Sequence, residues 1–272
     1  MKIGIVGYGY VGKAMCEFFN SHHRVHVYDP AYKVLNADND PCEPSKHTIN
    51  ACDLAVVCVP TNSNPDGSCD TSIVEEVIGW LETPLILLKS TVPPGTTDRL
   101  IEKTGKNIVF SPEYCGESKY WSSHSFHQKV VDTPWFTFGG APENTSKMVD
   151  LFMGIAGPEK KYRQTTAKAA EMAKYMANTF FATKITFCYE IAEICKAMGV
   201  DYNEARELWL MDPRINPMHT AVFAENDRPF GGKCLPKDLD ALIDAAEGVG
   251  YYPQLLRAVV ASNLRIESIR SK

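Results

Sequence analysis

No apolar run in the 272-residue sequence approaches the length of a membrane span, and no charged n-region with a cleavable apolar segment precedes the first strand. Neither a transmembrane helix nor a secretory leader is therefore expected. CxxC pairs are also missing. The nine cysteines, at 16, 42, 52, 58, 69, 115, 188, 195 and 234, are odd in number, scattered, and mostly set in apolar runs. That pattern argues against a structural zinc site or a redox dithiol, and no metal is expected. Basic residues are in short supply. With a net charge of −5 and no basic stripe, the chain lacks what a polyanion binder needs, so nucleic acid is not an expected partner. There is no internal repeat and no low-complexity tract. A reducing, cytoplasmic setting fits these absences.

What is present is ordinary globular composition, 44% apolar and 22% charged, at a length that suggests about two domains. MKIGIV, RVHVYD, LAVVCVP, PLILLKS, NIVF and WFTFGG read as strands. Helical patterns separate them near 8–19, 71–81, 96–103 and 144–154. Ser72 and Glu75 stand in capping-box spacing ahead of the second of these helices. Continuous apolar runs such as LAVVCVP mark strands covered on both faces. The alternation predicts an α/β fold, a Rossmann-type doubly wound parallel sheet, over residues 1–160. It stops near Gly157. From Thr165 to Met198 there is an almost unbroken helical pattern without Pro or Gly, about 50 Å long at 1.5 Å per residue. Shorter helices follow at about 202–211, 237–248 and 253–268, so residues 161–272 are expected to form an all-helical domain. The long helix reads as a bridge between domains or the spine of a homodimer.

Gly7, Gly9 and Gly12 form GxGxxG between a strand and a helix, enclosing Tyr10 and Val11. In that context the glycines permit a tight turn and backbone approach to a pyrophosphate, and the helix N-terminus supplies amide donors and positive dipole. Asp29, at the end of the second strand, is placed to hold ribose hydroxyls. A carboxylate there repels a 2′-phosphate, so NAD is expected over NADP.

The segment RPFGGKCLPKDLDA puts Cys234 after Gly231 and Gly232 and close to Lys233, Lys237 and Asp238. Cations there favour a thiolate, and paired glycines allow close approach of another molecule. A surface loop with an incidental thiol is the alternative. KSTVPPG puts Ser90 and Thr91 at the carboxyl edge of the sheet, and SPEYCGES puts Glu113 at the same edge. Lys174 and Asn178, four apart in EMAKYMAN, share one helix face.

Taken in order, GYGYVG, VPT, DGSCDTS, KSTVPPG, SPE, AAEMAKYMAN, DPRI and GGKCLPKD run the length of the chain. They resemble the UDP-glucose/GDP-mannose dehydrogenase family of nucleotide-sugar dehydrogenases. The resemblance implies NAD-dependent oxidation of a sugar C6 alcohol to a carboxylate in two hydride transfers, through an aldehyde and a cysteine-bound thioester. UDP-glucose is the expected substrate. It further implies Cys234 as nucleophile, and Lys174 with Asp238 and a water handling the alcohol proton. Asn178 would donate to the oxyanion, Thr91 would order water, and Glu113 would assist thioester hydrolysis. Arg214 would reach the sugar of a neighbouring subunit. Thr61 and Glu117 match cofactor-side or loop positions, and Gly231 and Gly232 line the approach to Cys234. Family members usually continue into a second Rossmann-like domain that grips the nucleotide; residues 1–272 do not include it, so a shortened, two-domain form is expected. The 217–229 loop, Lys233 and Ser118 also depart from the family pattern. A single-step β-hydroxyacid-type dehydrogenase and a non-catalytic NAD-binding partner of a larger enzyme are the competing expectations.

Overall fold

The computed structural model describes residues 1–32, 34–35, 41–42, 45–114, 129–223 and 229–270. The chain divides into two compact units, Met1–Asn62 with Asp70–Lys174, and Ser63–Cys69 with Tyr175–Lys272.

The first unit runs β1 (Lys2–Val6), α1 (Tyr10–Asn20), β2 (Arg24–Tyr28), β3 (Val34–Leu35), β4 (Pro41–Cys42), α2 (Lys46–Asn50) and β5 (Leu54–Val57). It continues through α3 (Ser72–Trp80), β6 (Ile86–Leu88), α4 (Thr96–Thr104), β7 (Ile108–Phe110), β8 (Trp135–Gly139), α5 (Pro142–Ala156) and β9 (Lys161–Thr165). Among the described residues one sheet is ordered β2-β1-β5-β6-β7-β8-β9. All its pairings are parallel except β7 with β8, which is antiparallel at Phe110 and Gly139. The parallel sheet expected from the alternation is thus interrupted once. WFTFGG has the composition of a strand, but nothing in it states the direction of pairing.

The apolar runs are buried on both faces, as parallel strands between helices must be. Ala55 and Val57 turn to the side packed by Val74, Ile78 and Leu100 of α3 and α4. Leu54 and Val56 turn to the side packed by Met15, Phe18 and Phe19 of α1 and Met148 and Phe152 of α5. Each such side chain, fully buried, contributes roughly 1.5–3 kcal/mol. The 32-residue helix α6 (Ala167–Met198) starts in this unit, and Ala167 and Ala170 sit in the sheet's core. That packing is why the division falls inside α6, after Lys174, later than the expected 160/161. The capping box at Ser72 does not form. Thr71 is the N-cap, and the Glu75 carboxylate accepts from Thr71 Oγ1, Arg99 and Lys103.

The second unit contains the rest of α6, α7 (Tyr202–Trp209), α8 (Leu235–Gly248) and α9 (Gln254–Arg270). Gly199, at φ 71°, ends α6 in the left-handed conformation that glycine adopts without strain. Asp201 caps α7, accepting from Asn203 N at 2.7 Å and Glu204 N at 3.2 Å. Ala182, Phe230, Leu239, Ile243 and Val259 form the core. Asn263 fixes Phe230 from both sides, accepting from its N–H at 3.1 Å and donating to its carbonyl at 3.2 Å. Among the described residues no helix is long and apolar enough to cross a membrane.

Candidate active site

The glycine turn between β1 and α1 is built by contact. Gly7 has φ 90°, and a Cβ there would lie 2.6 Å from the Cys58 carbonyl oxygen. A Cβ on Gly12 would lie 1.9 Å from the Gly7 carbonyl oxygen. These two glycines close strand, turn and helix on one another. Gly9 is different, because a Cβ there would meet nothing within 4 Å. Gly9 is the N-cap of α1, so the space beside it faces the helix's unpaired N–H groups and positive dipole end. Tyr10, exposed, and Val11, half-buried, open the helix.

Asp29 ties the turn to β2. Its Oδ2 accepts from Tyr8 N at 2.7 Å and its Oδ1 from Ala31 N at 2.8 Å. A carboxylate oxygen has a second lone-pair site, so both atoms retain acceptor capacity for ribose hydroxyls. Backbone open at Gly9, a helix N-terminus and a strand-end carboxylate fit a dinucleotide, and NAD is the cofactor: residues 31–133 match the NAD binding domain of the family identified below.

At the carboxyl ends of β5, β6 and β7 the loops are cross-linked. Thr61 Oγ1 donates to the Thr91 carbonyl at 2.8 Å, and Ser90 Oγ donates to the Val59 carbonyl at 2.7 Å. Thr61 is buried while Thr91 is half-buried, so the Thr91 side chain remains partly open at the sheet edge. Glu113 follows β7 and is 9% exposed. Its Oε1 accepts from Tyr114 N at 2.7 Å and its Oε2 lies 3.3 Å from Lys89 Nζ. Lys174 Nζ donates to the Glu113 carbonyl at 2.5 Å and stands 5.1 Å from the centre of the Tyr114 ring. Burial pushes the Tyr114 hydroxyl up from its ordinary value. Cys58 is pushed up strongly by burial, against the pull of Lys89, and is therefore held as a thiol.

In the second unit Cys234 is exposed and occupies the N-cap of the 14-residue helix α8. One turn on, Asp238 is 1% exposed and the Asp238 N–H donates to the Cys234 carbonyl at 3.0 Å. The Asp238 carboxylate accepts from Asn178 Nδ2 at 2.5 Å and from Lys237 Nζ at 2.6 Å. Lys237 is thereby committed to Asp238. Lys237, one of the two cations expected near the Cys234 thiol, is paired with the adjacent Asp238 carboxylate. Cys234 itself lies at the α8 N-terminus, where the dipole favours an anion. Gly232, at φ 75°, and Gly231 lead into it. Arg214 is not gathered into this cluster: its side chain is 86% exposed and its guanidinium is bound by Asp212. Glu117 and Ser118 lie outside the described residues, as do residues 224–228 of the 217–229 loop.

Two residues central to this geometry escape a reading by motif. Lys89 directly follows the apolar run PLILL and is 4% exposed; a lysine buried at the end of such a run must be paired, and that is its signal. Glu171, fully buried, accepts from Gly95 N, Thr97 N and Thr97 Oγ1, capping α4 from α6. Only its charge within a helical run marked it.

Comparison with known proteins accords with this geometry. The chain is 29% identical to UDP-glucose 6-dehydrogenase of Streptococcus pneumoniae, covering 97% of this chain and 73% of that protein. It is 30% identical to GDP-mannose 6-dehydrogenase of Pseudomonas savastanoi pv. phaseolicola, covering 97% and 68%. The structure of a UDP-glucose dehydrogenase from the hyperthermophilic archaeon Pyrobaculum islandicum superposes with a TM-score of 0.80 at 25% identity, covering 97% and 68%. The chain thus spans about two thirds to three quarters of the length of these relatives. Residues 31–133 match the NAD binding domain and residues 168–265 the central domain of one family, and the chain belongs to it: the UDP-glucose/GDP-mannose dehydrogenase family.

Proposed function

We propose that this chain oxidises the C6 alcohol of a nucleotide sugar, UDP-glucose, to the uronate with two equivalents of NAD. The observation that carries the reading is Asp238, a buried carboxylate one turn from the exposed Cys234 and held by Asn178 and Lys237. Burying a charge is costly, and a packed apolar side chain would serve stability as well. A buried carboxylate beside a cysteine at a helix N-terminus suits chemistry.

In this reading Lys174, with Asp238 and a water, takes the alcohol proton and stabilises the developing oxyanion, to which Asn178 also donates. NAD, when bound, supplies the hydride acceptor for each oxidation. The Cys234 thiolate adds to the C6 aldehyde, so the sugar stays anchored as a thiohemiacetal between the two hydride transfers. Loss of the hydroxyl proton to the Lys174–Asp238 water and of the second hydride leaves a thioester. Thr91 orders the hydrolytic water and Glu113 takes its proton. The water oxygen bonds to the acyl carbon, the carbon–sulfur bond breaks, and the sulfur leaves as the Cys234 thiolate. Gly231 and Gly232 provide room for the sugar, and Glu117 contributes to its binding.

The chain is further proposed to form a homodimer through α6. Met176, Phe180, Phe187, Ile194 and Met198 are exposed on it at spacings of 4, 7, 7 and 4, a single apolar stripe. In that dimer Arg214 would reach the neighbouring subunit's sugar. Sedimentation at micromolar concentration tests this: a dimer is expected, Phe180→Glu with Phe187→Glu should give a monomer, and a monomeric wild type overturns it.

The activity is tested by NADH formed per UDP-glucose consumed. Two are expected for the wild type, and Cys234→Ser should fail to complete the oxidation. Absence of NADH despite demonstrable NAD binding would overturn UDP-glucose as substrate.

A further inference from the structure

Lysine is a poor choice for the buried position directly after a strand, and Lys89 stands there, following β6, with its side chain 4% exposed. An ammonium in such a place needs partners for its three N–H donors, since an unpaired buried charge is strongly destabilising. Lys89 finds two hydrogen-bond acceptors and one ion-pair partner on three consecutive residues after β7. Its Nζ lies 3.4 Å from Ser111 Oγ, 3.1 Å from the Pro112 carbonyl oxygen and 3.3 Å from Glu113 Oε2. The other Glu113 oxygen accepts from Tyr114 N at 2.7 Å. The carboxylate is therefore gripped at both oxygens, by a cation on one and a backbone amide on the other. The segment that carries it is clamped by the same ammonium.

We propose that Lys89 is the positioning residue for Glu113: it fixes the orientation of the carboxylate, so that Glu113 can accept a proton from the water that cleaves the thioester. The proposal rests on the hydrolytic role given to Glu113 above. The same segment offers the Glu113 carbonyl to Lys174, so the hydride-transfer stage and the hydrolytic stage are read separately. Lys89 acts only through Glu113. A base that must stay charged in a water-poor setting benefits from a fixed cation more than from a mobile one, because a buried charge pair is neither screened by solvent nor reorganised during the reaction. Burying the cation under the loop also keeps it from substituting for Glu113 in the reaction.

Lys89→Met keeps the length and volume of the stem and removes the charge. With NAD and UDP-glucose in rapid-mixing experiments, this variant should still release two NADH per active site in a first burst. Steady-state turnover should then fall at least about tenfold, the order expected when a catalytic base loses its setting. Mass spectrometry of quenched protein should show the uronyl adduct on Cys234 accumulating in the variant and not in the wild type. Because Lys89→Met removes a positive charge beside the buried Glu113 carboxylate, the same substitution is made in a Glu113→Gln background, where that carboxylate is absent. There Lys89→Met should change turnover less than about twofold, since residues that act through one another are not additive. Lys89→Arg should restore part of the rate.

Equal losses in both backgrounds, or a missing burst, would overturn the positioning role and leave Lys89 a folding residue. A wild type that yields no adduct and fewer than two NADH per sugar would overturn the thioester reading itself, and the role of Lys89 with it.

Discussion

Gly9→Ala and Gly12→Ala make a paired perturbation whose outcomes the geometry separates. A Cβ at residue 12 lies 1.9 Å from the Gly7 carbonyl oxygen, so α1 must move away from the turn by more than 1 Å. The contact is with backbone, which cannot swing aside as a side chain can. Overpacking of this kind costs about 1–3 kcal/mol, and a clash with main chain belongs at the top of that range. α1 carries the buried Met15, Phe18 and Phe19, so the shift also loosens the core beneath it. At roughly 2–4 °C per kcal/mol for a unit of this size, Gly12→Ala should lower the melting temperature by about 6–12 °C. At residue 9 the added Cβ meets nothing within 4 Å, and the φ of −74° suits alanine. Gly9→Ala should therefore melt within about 4 °C of the wild type, a Gly-to-Ala change at an N-cap costing up to about 1 kcal/mol. The open space that spares stability is what the pyrophosphate requires, so NAD affinity should weaken at least about tenfold, or 1.4 kcal/mol. Thermal melts without NAD and fluorescence titration with it separate the two effects. A Gly12→Ala protein that melts like the wild type, or a Gly9→Ala protein with unchanged NAD affinity, would refute the account of the turn.

Three further outcomes follow from buried or paired polar groups. Arg99, with Lys103 and Thr71, holds the Glu75 carboxyl down at about 2. Its contribution is present above the ordinary value of 4.5 and is lost as pH falls through 2; with both cations largely exposed, Glu75→Gln should cost about 1 kcal/mol at pH 7 by chemical denaturation, and a neutral effect would discount the pairing. Glu171 is pushed the other way, by burial, although Thr97 and Gly95 donate to it. Here the folded state binds the proton more tightly than the unfolded chain, so stability falls as pH rises above 4.5, and the stability gap between wild type and Glu171→Gln should narrow over that rise; a pH-independent gap would sink the argument. Asn178→Leu removes one of two donors to the buried Asp238 and should destabilise the second unit by about 2 kcal/mol, read from the denaturant midpoint.

The parts of this structure that sequence made legible are those encoded over a few residues. GYGYVG between a strand and a helix leaves little choice about its turn, because Gly7 and Gly12 are the positions where a side chain has no room. Asp29, Glu113 and Cys234 were each found at an element end, where side chains emerge beside backbone that can bind. What stayed hidden depended on distance in space. Lys237 lies near both Cys234 and Asp238 in sequence, and only the folded helix shows that the carboxylate takes it. Lys89 carried a signal, but its three acceptors lie on the next strand's loop. β9, KYRQT, was missed because it is a largely exposed edge strand without an apolar face to betray it. The reversed direction of β8 leaves no trace in composition at all.

The seven residues Ser63–Cys69 leave the first unit and return to it, yet they are built into the second. There Asp66 and Gly67 line a groove of about 350 Å³ with Asp240 and Ile243 of α8 and Leu264 of α9. No single cut in the gene therefore separates the two units. A fragment starting at Tyr175 would miss one wall of its own groove, and a fragment ending at Lys174 would carry a loop whose partners were never made. On the ribosome the loop is synthesised about 165 residues before α8, so completion of the second unit must await synthesis of α8 and α9.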